Sequence, residues 1–352
     1  MKLGIIGLPQ SGKTTIFNAA SGQQEAVGDY SQASHRAVIK VPDQRLVELS
    51  ELHRPKKITF AEIEFLDSPG FTGQGKKGKG ELEILHDLRL VDAVVIVVDN
   101  FGSETHPEQD LQALSDEMVL SDLMIIETNI EKLARTIKLT GRQERARELD
   151  VLQRCQEALN NDQLLIEIGL SEEDKKEIRG YAFLTLKPQL ITFNISEEML
   201  PDYPTLYADY ENKYCREGMR DISVICGKIE MELAALSNED RQAFLKELNI
   251  ERPVVEKFIR KSFNLLGLIT FFTVGPPECR AWTLRKGSAA PKAAGTVHTD
   301  FERGFIRAEV ASYDDYMIYK TLPALKAAAK LHVEGKDYVV QDGDVILFRF
   351  NI

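Results

Sequence analysis

The residues Gly7-Leu8-Pro9-Gln10-Ser11-Gly12-Lys13-Thr14 fit the pattern G-x-x-x-x-G-K-[ST] in full. The chemistry is phosphate binding. Glycines let the backbone wrap a polyphosphate with its N–H groups turned inward, and a helix N-terminus behind the loop adds its dipole. On this reading Pro9, Gln10, Ser11, Gly12, Lys13, Thr14 and Thr15 line a nucleotide. Lys13 reaches the outer phosphates as a catalytic residue, and the Thr14 hydroxyl ligates Mg²⁺. The competing reading is a chance match in a strand–turn–helix. Lys2 to Ile6 as a short buried strand and Thr15 to Ala20 as a helix start are the flanks the loop requires.

A second element, Asp67-Ser68-Pro69-Gly70, follows an alternating strand, Phe60 to Leu66. A carboxylate at a strand end can hold Mg²⁺ through water, and the Gly70 N–H can sense a γ-phosphate. Phe71 stands where many GTPases place a water-orienting Gln, so hydrolysis is slow or another group positions the water. A third element, Asn194-Ile195-Ser196-Glu197, follows the strand 189–193. Guanine readers use N-K-x-D there, whose Asp accepts from guanine N1–H and the 2-amino group. Neither donor exists on adenine. With the lysine absent and the acid one methylene longer, Asn194 and Glu197 predict adenine over guanine. Cys226 and Gly227, at the end of the next core strand, complete the candidate nucleotide-binding set.

These elements need a scaffold. Ala93 to Val98 is continuous, β-branched and apolar, as in a strand covered on both faces. With 189–193 and 222–226 it predicts an α/β fold, a P-loop domain on a mostly parallel sheet. Between lies a different pattern. Val119, Leu123, Ile126, Ile130, Leu133 and Ile137 step by 4, 3, 4, 3, 4, and Leu149, Leu152 and Leu159 resume the seam with Gln156 inside it. This predicts an antiparallel helical hairpin, coiled-coil-like, whose first arm of about 25 residues spans roughly 37 Å. Two ordinary domain-covering helices are the alternative. Ser237 to about Phe263 reads as helical. From Leu268 short β-type runs alternate with turns, forming a small α+β module. The predicted division is 1–114 with 188–265 for nucleotide binding, 115–187 for the hairpin and 268–352 for the module.

Composition narrows the function classes. The 352 residues carry a net charge of −11, which opposes nonspecific nucleic-acid binding. The last 85 residues, from Leu268, hold 11 Lys and Arg against 10 Asp and Glu, so the acidity lies upstream. A specific RNA contact there stays open. Arg280, Trp282, Arg285 and Lys286 could stack on RNA, against the alternative of a core tryptophan. Gly73 to Gly80 carries three lysines, read as a switch loop or simply a solvated one. No apolar run reaches membrane-spanning length, and the chain starts directly on a strand without a signal peptide. The four scattered cysteines form no CxxC pair and read as reduced thiols. The expected location is the cytoplasm.

The chain resembles the YchF/OBG-like ATPase family, within the Obg-related P-loop proteins. The resemblance spans nearly the whole chain. It is strongest from Gly267 to Thr283, from His298 to Glu309 and from Glu334 to Asp344, which are similar to the family's TGS domain, a β-grasp fold. The resemblance implies preferential ATP hydrolysis with Mg²⁺, association with ribosomes or structured RNA, and a coiled-coil-like insertion. It also implies N-x-x-E at Asn194 to Glu197 and a hydrophobic residue at Phe71. Where the family usually has Asn, which in related proteins helps bind potassium, this chain has Gln10, so potassium activation is left open. The family's D-I-A-G corresponds to Asp67-Ser68-Pro69-Gly70. Its switch threonine, a Mg²⁺ ligand, falls near Ser31. A family histidine proposed to aid hydrolysis corresponds to His106.

The expected function is a regulatory, Mg²⁺-dependent nucleoside triphosphatase, slow on its own and monomeric. A GTP-binding or dual-specificity GTPase and a nucleotide-binding module with negligible turnover are the alternatives.

Overall fold

A computed structural model describes residues 1–23, 35–68, 87–102, 104–140, 145–247 and 250–351. Two compact units emerge. The first comprises Met1–Ala37 and Glu64–Leu265, the second Val38–Ile63 and Leu266–Ile352. Residues 38–63, expected with the nucleotide-binding domain, therefore cluster with the C-terminal module. The chain leaves the first unit within one strand and returns within another.

The first unit is built on strands β1 (Lys2–Gly7), β2 (His35–Lys40), β4 (Glu62–Asp67), β5 (Ala93–Asn100), β6 (Gln189–Ile195) and β7 (Arg220–Ile225). Their order is β2-β4-β1-β5-β6-β7. β1 runs parallel to β4 and β5, β5 to β6, and β6 to β7. β6 is buried at every residue and β5 at all but Asp99, which explains their unbroken apolar character. Helix α1 (Lys13–Ser21) packs against α7 (Gly227–Ala235) and α9 (Val254–Leu265).

The single helix expected over 237–263 is instead two, α8 (Asn238–Glu247) and α9. Pro253 accounts for the second start, since its ring cannot continue a helix from before. The buried Glu230 carboxylate fixes that start by accepting from the Val254 and Val255 N–H groups at 2.8 and 3.2 Å.

The insertion holds α3 (Pro107–Thr140), α4 (Ala146–Asn160) and α5 (Glu172–Ile178). α3 packs on α4 with Ile126 and Leu133 buried in the shared core, as the seam predicts. α4 departs from the heptad. Its buried set is Val151, Leu152, Cys155, Ala158 and Leu159, a stripe wider than an a/d seam. The reason is a third layer: Leu165, Leu170, Ile178 and Phe183 also pack into this core. The middle of α3 is pinned by Asp122, which is fully buried. It accepts from Arg89 Nη1 at 2.8 Å, the Leu184 N–H at 3.1 Å, and the Thr185 N–H and hydroxyl, both at 2.8 Å.

The second unit carries β3 (Lys57–Thr59), β8 (Leu268–Thr273), β9 (Glu278–Arg285), β10 (Phe305–Ser312), β11 (His332–Glu334) and β12 (Asp344–Phe350) in the order β11-β10-β12-β8-β9-β3. β12 and β8 run parallel, flanked by antiparallel β10 and β9. Helix α10 (Ala290–Val297) lies over the core face with Ala290, Ala293 and Ala294 buried, an arrangement consistent with a β-grasp. The upstream excursion completes this sheet. β3 pairs with the edge of β9, and Thr59 Oγ1 donates to Glu278 at 2.6 Å. α2 (Gln44–His53) packs on β9, with Arg45 5.2 Å over the Phe272 ring and bonded to Asp342 at 2.8 Å.

Candidate nucleotide-binding site

The phosphate loop turns from β1 into α1 as the sequence requires. Gly12 has φ 86, a left-handed conformation that favours glycine. A Cβ there would stand 2.1 Å from Asn194 Nδ2, and one at Gly7 would stand 2.4 Å from the Val97 carbonyl. Both positions leave the space a close-fitting backbone cradle needs. Gln10 also adopts a left-handed backbone, φ 67. Asn is enriched in that region and Gln is not. An asparagine at this position thus has a backbone reason independent of any ion.

Lys13 is 7% exposed, and its Nζ donates to the Leu8 carbonyl at 2.7 Å. Burial lowers its pKa to about 8, opposed by the nearby Asp67 carboxylate. Thr14 Oγ1 donates to Asp67 Oδ2 at 2.9 Å, bringing together two hard oxygen ligands from separate motifs. Asp67 is 3% exposed at the end of β4. The Ser11 hydroxyl is buried without a hydrogen-bond partner in this structure. A glycine-lined backbone cradle, a buried hydroxyl, a lysine and a Thr–Asp oxygen pair together fit a magnesium-bound polyphosphate.

The candidate base-reading element, Asn194 to Glu197, is tied to the same loop through Asn194. Asn194 is buried at the end of β6. Its Nδ2 donates to the Ser11 carbonyl at 3.1 Å, and its Oδ1 accepts from the Gly227 N–H at 3.0 Å. Gly227 fits closely, since a Cβ there would lie 3.4 Å from Thr15 Cγ2 and 3.1 Å from Asn194 Oδ1. Cys226 is buried, and desolvation raises its pKa, so it is no thiolate. Glu197 opens the short helix Glu197–Asp202 and pairs with Lys228 Nζ at 2.6 Å.

Among the predicted set, Pro9, Gln10, Ser11 and Gly12 form the loop, Lys13, Thr14 and Thr15 open α1, and Asp67 ends β4; bonds join Thr14 to Asp67 and Asn194 to Ser11 and Gly227, Cys226 precedes Gly227, and Glu197 meets Lys228. Ser31, Gly70, Phe71 and the 73–80 loop lie outside the described residues. His106 is exposed directly ahead of α3, its carbonyl accepting from the Asp110 N–H at 3.0 Å.

Two residues escaped the sequence reading. Phe101 is 42% exposed, and its ring edge is 3.9 Å from where a Gly12 Cβ would stand. Its signal was an aromatic following the polar Asp99-Asn100 at a strand end. Lys228 is the other. In the second unit, Trp282 packs on the core, bonds Thr273 Oγ1 at 2.9 Å and has Arg280 3.9 Å over its ring. That is the packing alternative rather than an open stacking platform. No helix among the described residues is long and apolar enough to cross a membrane.

Comparison with known proteins agrees with this geometry. Residues 2–130 match the family described as "50S ribosome-binding GTPase". Residues 268–351 match the YchF GTPase C-terminal family, described as a protein of unknown function. The chain is similar to "Ribosome-binding ATPase YchF" of Haemophilus ducreyi, 37% identical over 100% of this chain and 99% of that one. The protein of that name from Bacillus subtilis is 37% identical, covering 99% of each. A solved structure, the YchF GTPase of Schizosaccharomyces pombe, superposes with a TM-score of 0.83 at 28% identity, over 99% of this chain and 97% of that one.

Proposed function

The chain belongs to the YchF family, and on that premise we propose that it is a Mg²⁺-dependent nucleoside triphosphatase. It prefers ATP to GTP and acts as a cytoplasmic, monomeric regulator on the ribosome. The observation that supports the base preference is Glu197 in place of Asp, with Ile195 in place of Lys, on the turn that Asn194 ties to the phosphate loop through the Ser11 carbonyl and the Gly227 N–H. Glu197 follows Asn194 by three residues, the spacing at which guanine readers carry their Asp. A carboxylate there can accept from the adenine 6-amino group.

Each remaining role follows from the chain's own atoms. The loop N–H groups and Lys13 would hold the phosphates, and Thr14 and Asp67, with Ser31 by family resemblance, would hold Mg²⁺, which would supply charge neutralisation at the phosphates. The Gly70 N–H and His106 are the candidates to sense the γ-phosphate and steer the water. Phe101, whose ring edge approaches Gly12, is a candidate wall of the site. Potassium activation is not part of this reading, because Gln10 stands where potassium-binding relatives carry Asn.

Support for the ribosomal role is the printed name of relatives aligned over the full chain. The reading is tested by titrating the protein with ATP and GTP in Mg²⁺. Tighter GTP binding sinks the adenine assignment. Phosphate release no faster than from Lys13→Ala would leave a binding module without turnover.

A further inference from the structure

Glu197 does not face the base position alone. Lys228 Nζ sits 2.6 Å from its Oε1. The two residues come from different strand ends, Glu197 three positions beyond Asn194 and Lys228 directly after Gly227. Asn194 ties both ends to the phosphate loop through its bonds to Ser11 and Gly227. The ion pair is thus positioned by a buried side chain, although its own members are 67% and 44% exposed. A pair that open to solvent adds little to fold stability. Stability therefore does not explain why a cation stands on this particular carboxylate.

The base explains it. Guanine presents N1–H and the 2-amino group side by side, a fork that a free carboxylate meets with both oxygens. Adenine presents one amino group beside an unprotonated N1, and needs a single acceptor. A cation on Oε1 occupies half of the fork and sets positive charge against guanine's donors. Discrimination built on such a repulsive element rejects the wrong partner without tightening the right one.

We propose that Lys228 is a specificity-determining residue which, by holding one oxygen of Glu197, leaves a single acceptor for the base and so excludes guanine. The inference rests on the adenine reading above. Contact with Glu197 also raises the Lys228 pKa, which keeps the ammonium charged.

The test is calorimetric titration of the full chain with non-hydrolysable ATP and GTP analogues in Mg²⁺, for the wild type, Lys228→Ala and Lys228→Arg. Lys228→Ala should bind the GTP analogue about tenfold tighter, one charge-assisted bond's worth, and shift the ATP analogue by less than about threefold. Lys228→Arg, which keeps a cation in place, should retain the wild-type ratio. Melting curves of both variants should match the wild type, because the side chain is exposed. A wild type that prefers ATP, with the same ratio in Lys228→Ala, overturns the role of Lys228 and leaves the adenine reading intact. Weakened ATP binding in Lys228→Ala with GTP unmoved does the same. A wild type without preference overturns the adenine reading itself, and Lys228 falls with it.

Discussion

Asn194 holds Ser11 from 183 residues away in sequence, its amide donating to the Ser11 carbonyl at 3.1 Å inside the protein. The same amide accepts from Gly227. One side chain therefore joins the phosphate loop, the base-reading turn and the start of α7.

Removing that side chain should damage both folding and binding. Asn194→Ala strands the buried Gly227 N–H and a Ser11 carbonyl, at roughly 1–3 kcal/mol for each buried group left unpaired. We expect ATP affinity to fall at least tenfold with both nucleotides weakened alike. Titration calorimetry checks it, and an unchanged affinity would remove Asn194 from the site.

Lys13 gives the site a pH dependence. Its pKa is lowered to about 8 in the free protein. Phosphate binds the charged form and raises that pKa, so affinity is full below pH 8 and declines as pH rises through it. Between pH 7.5 and 9 the free protein loses most of its charged Lys13, and affinity should fall by a factor of roughly 5–10. Dissociation constants measured across that range test the sign. A flat profile contradicts it.

Asp122 is the structural counterpart. Removing its carboxylate leaves the largely buried Arg89 guanidinium without its ion pair, together with three unpaired donors at Leu184 and Thr185. Asp122→Ala should destabilise the protein by about 3–5 kcal/mol, the range for breaking a buried pair. Urea unfolding reads this directly, and a loss under about 1 kcal/mol would show that solvent reaches the site.

Gln10 occupies a backbone region that asparagine tolerates better. Gln10→Asn should stabilise the protein slightly, by about 0.5 kcal/mol of relieved strain or less, read as a small rise in melting temperature. If the same change also makes ATP turnover respond to potassium, the side chain at this position recruits the ion. An unchanged potassium response would locate any ion elsewhere.

The phosphate loop and the parallel sheet were legible because both are local: fixed glycine spacing, and β-branched runs without polar interruption. The seam on α3 was legible for the same reason. What escaped were the long-range relations. Nothing near Asp122 announces that it faces Arg89 and Thr185. The stripe on α4 looked like a heptad because Leu149, Leu152 and Leu159 happen to fit one, whereas a third layer widens the buried face to Val151 and Cys155. Lys228 was invisible as a partner of Glu197 because strand order, which no local pattern encodes, makes β6 and β7 neighbours. Likewise 38–63 reads as ordinary strand and helix, and only pairing with β9 shows where it belongs.

That last segment has a practical corollary for anyone dividing the gene. The family boundary at residues 268–351 marks a sequence unit, not an autonomous folding unit. A fragment starting near residue 266 loses β3 and bares the backbone edge of β9. It also loses α2, and with it Arg45, the cationic partner of Phe272 and Asp342. Unpaired strand edges invite intermolecular pairing, so such a fragment should be poorly soluble. Grafting residues 38–63 back through a short linker, in effect a circular rearrangement of the module, is the excision that respects how the chain folds.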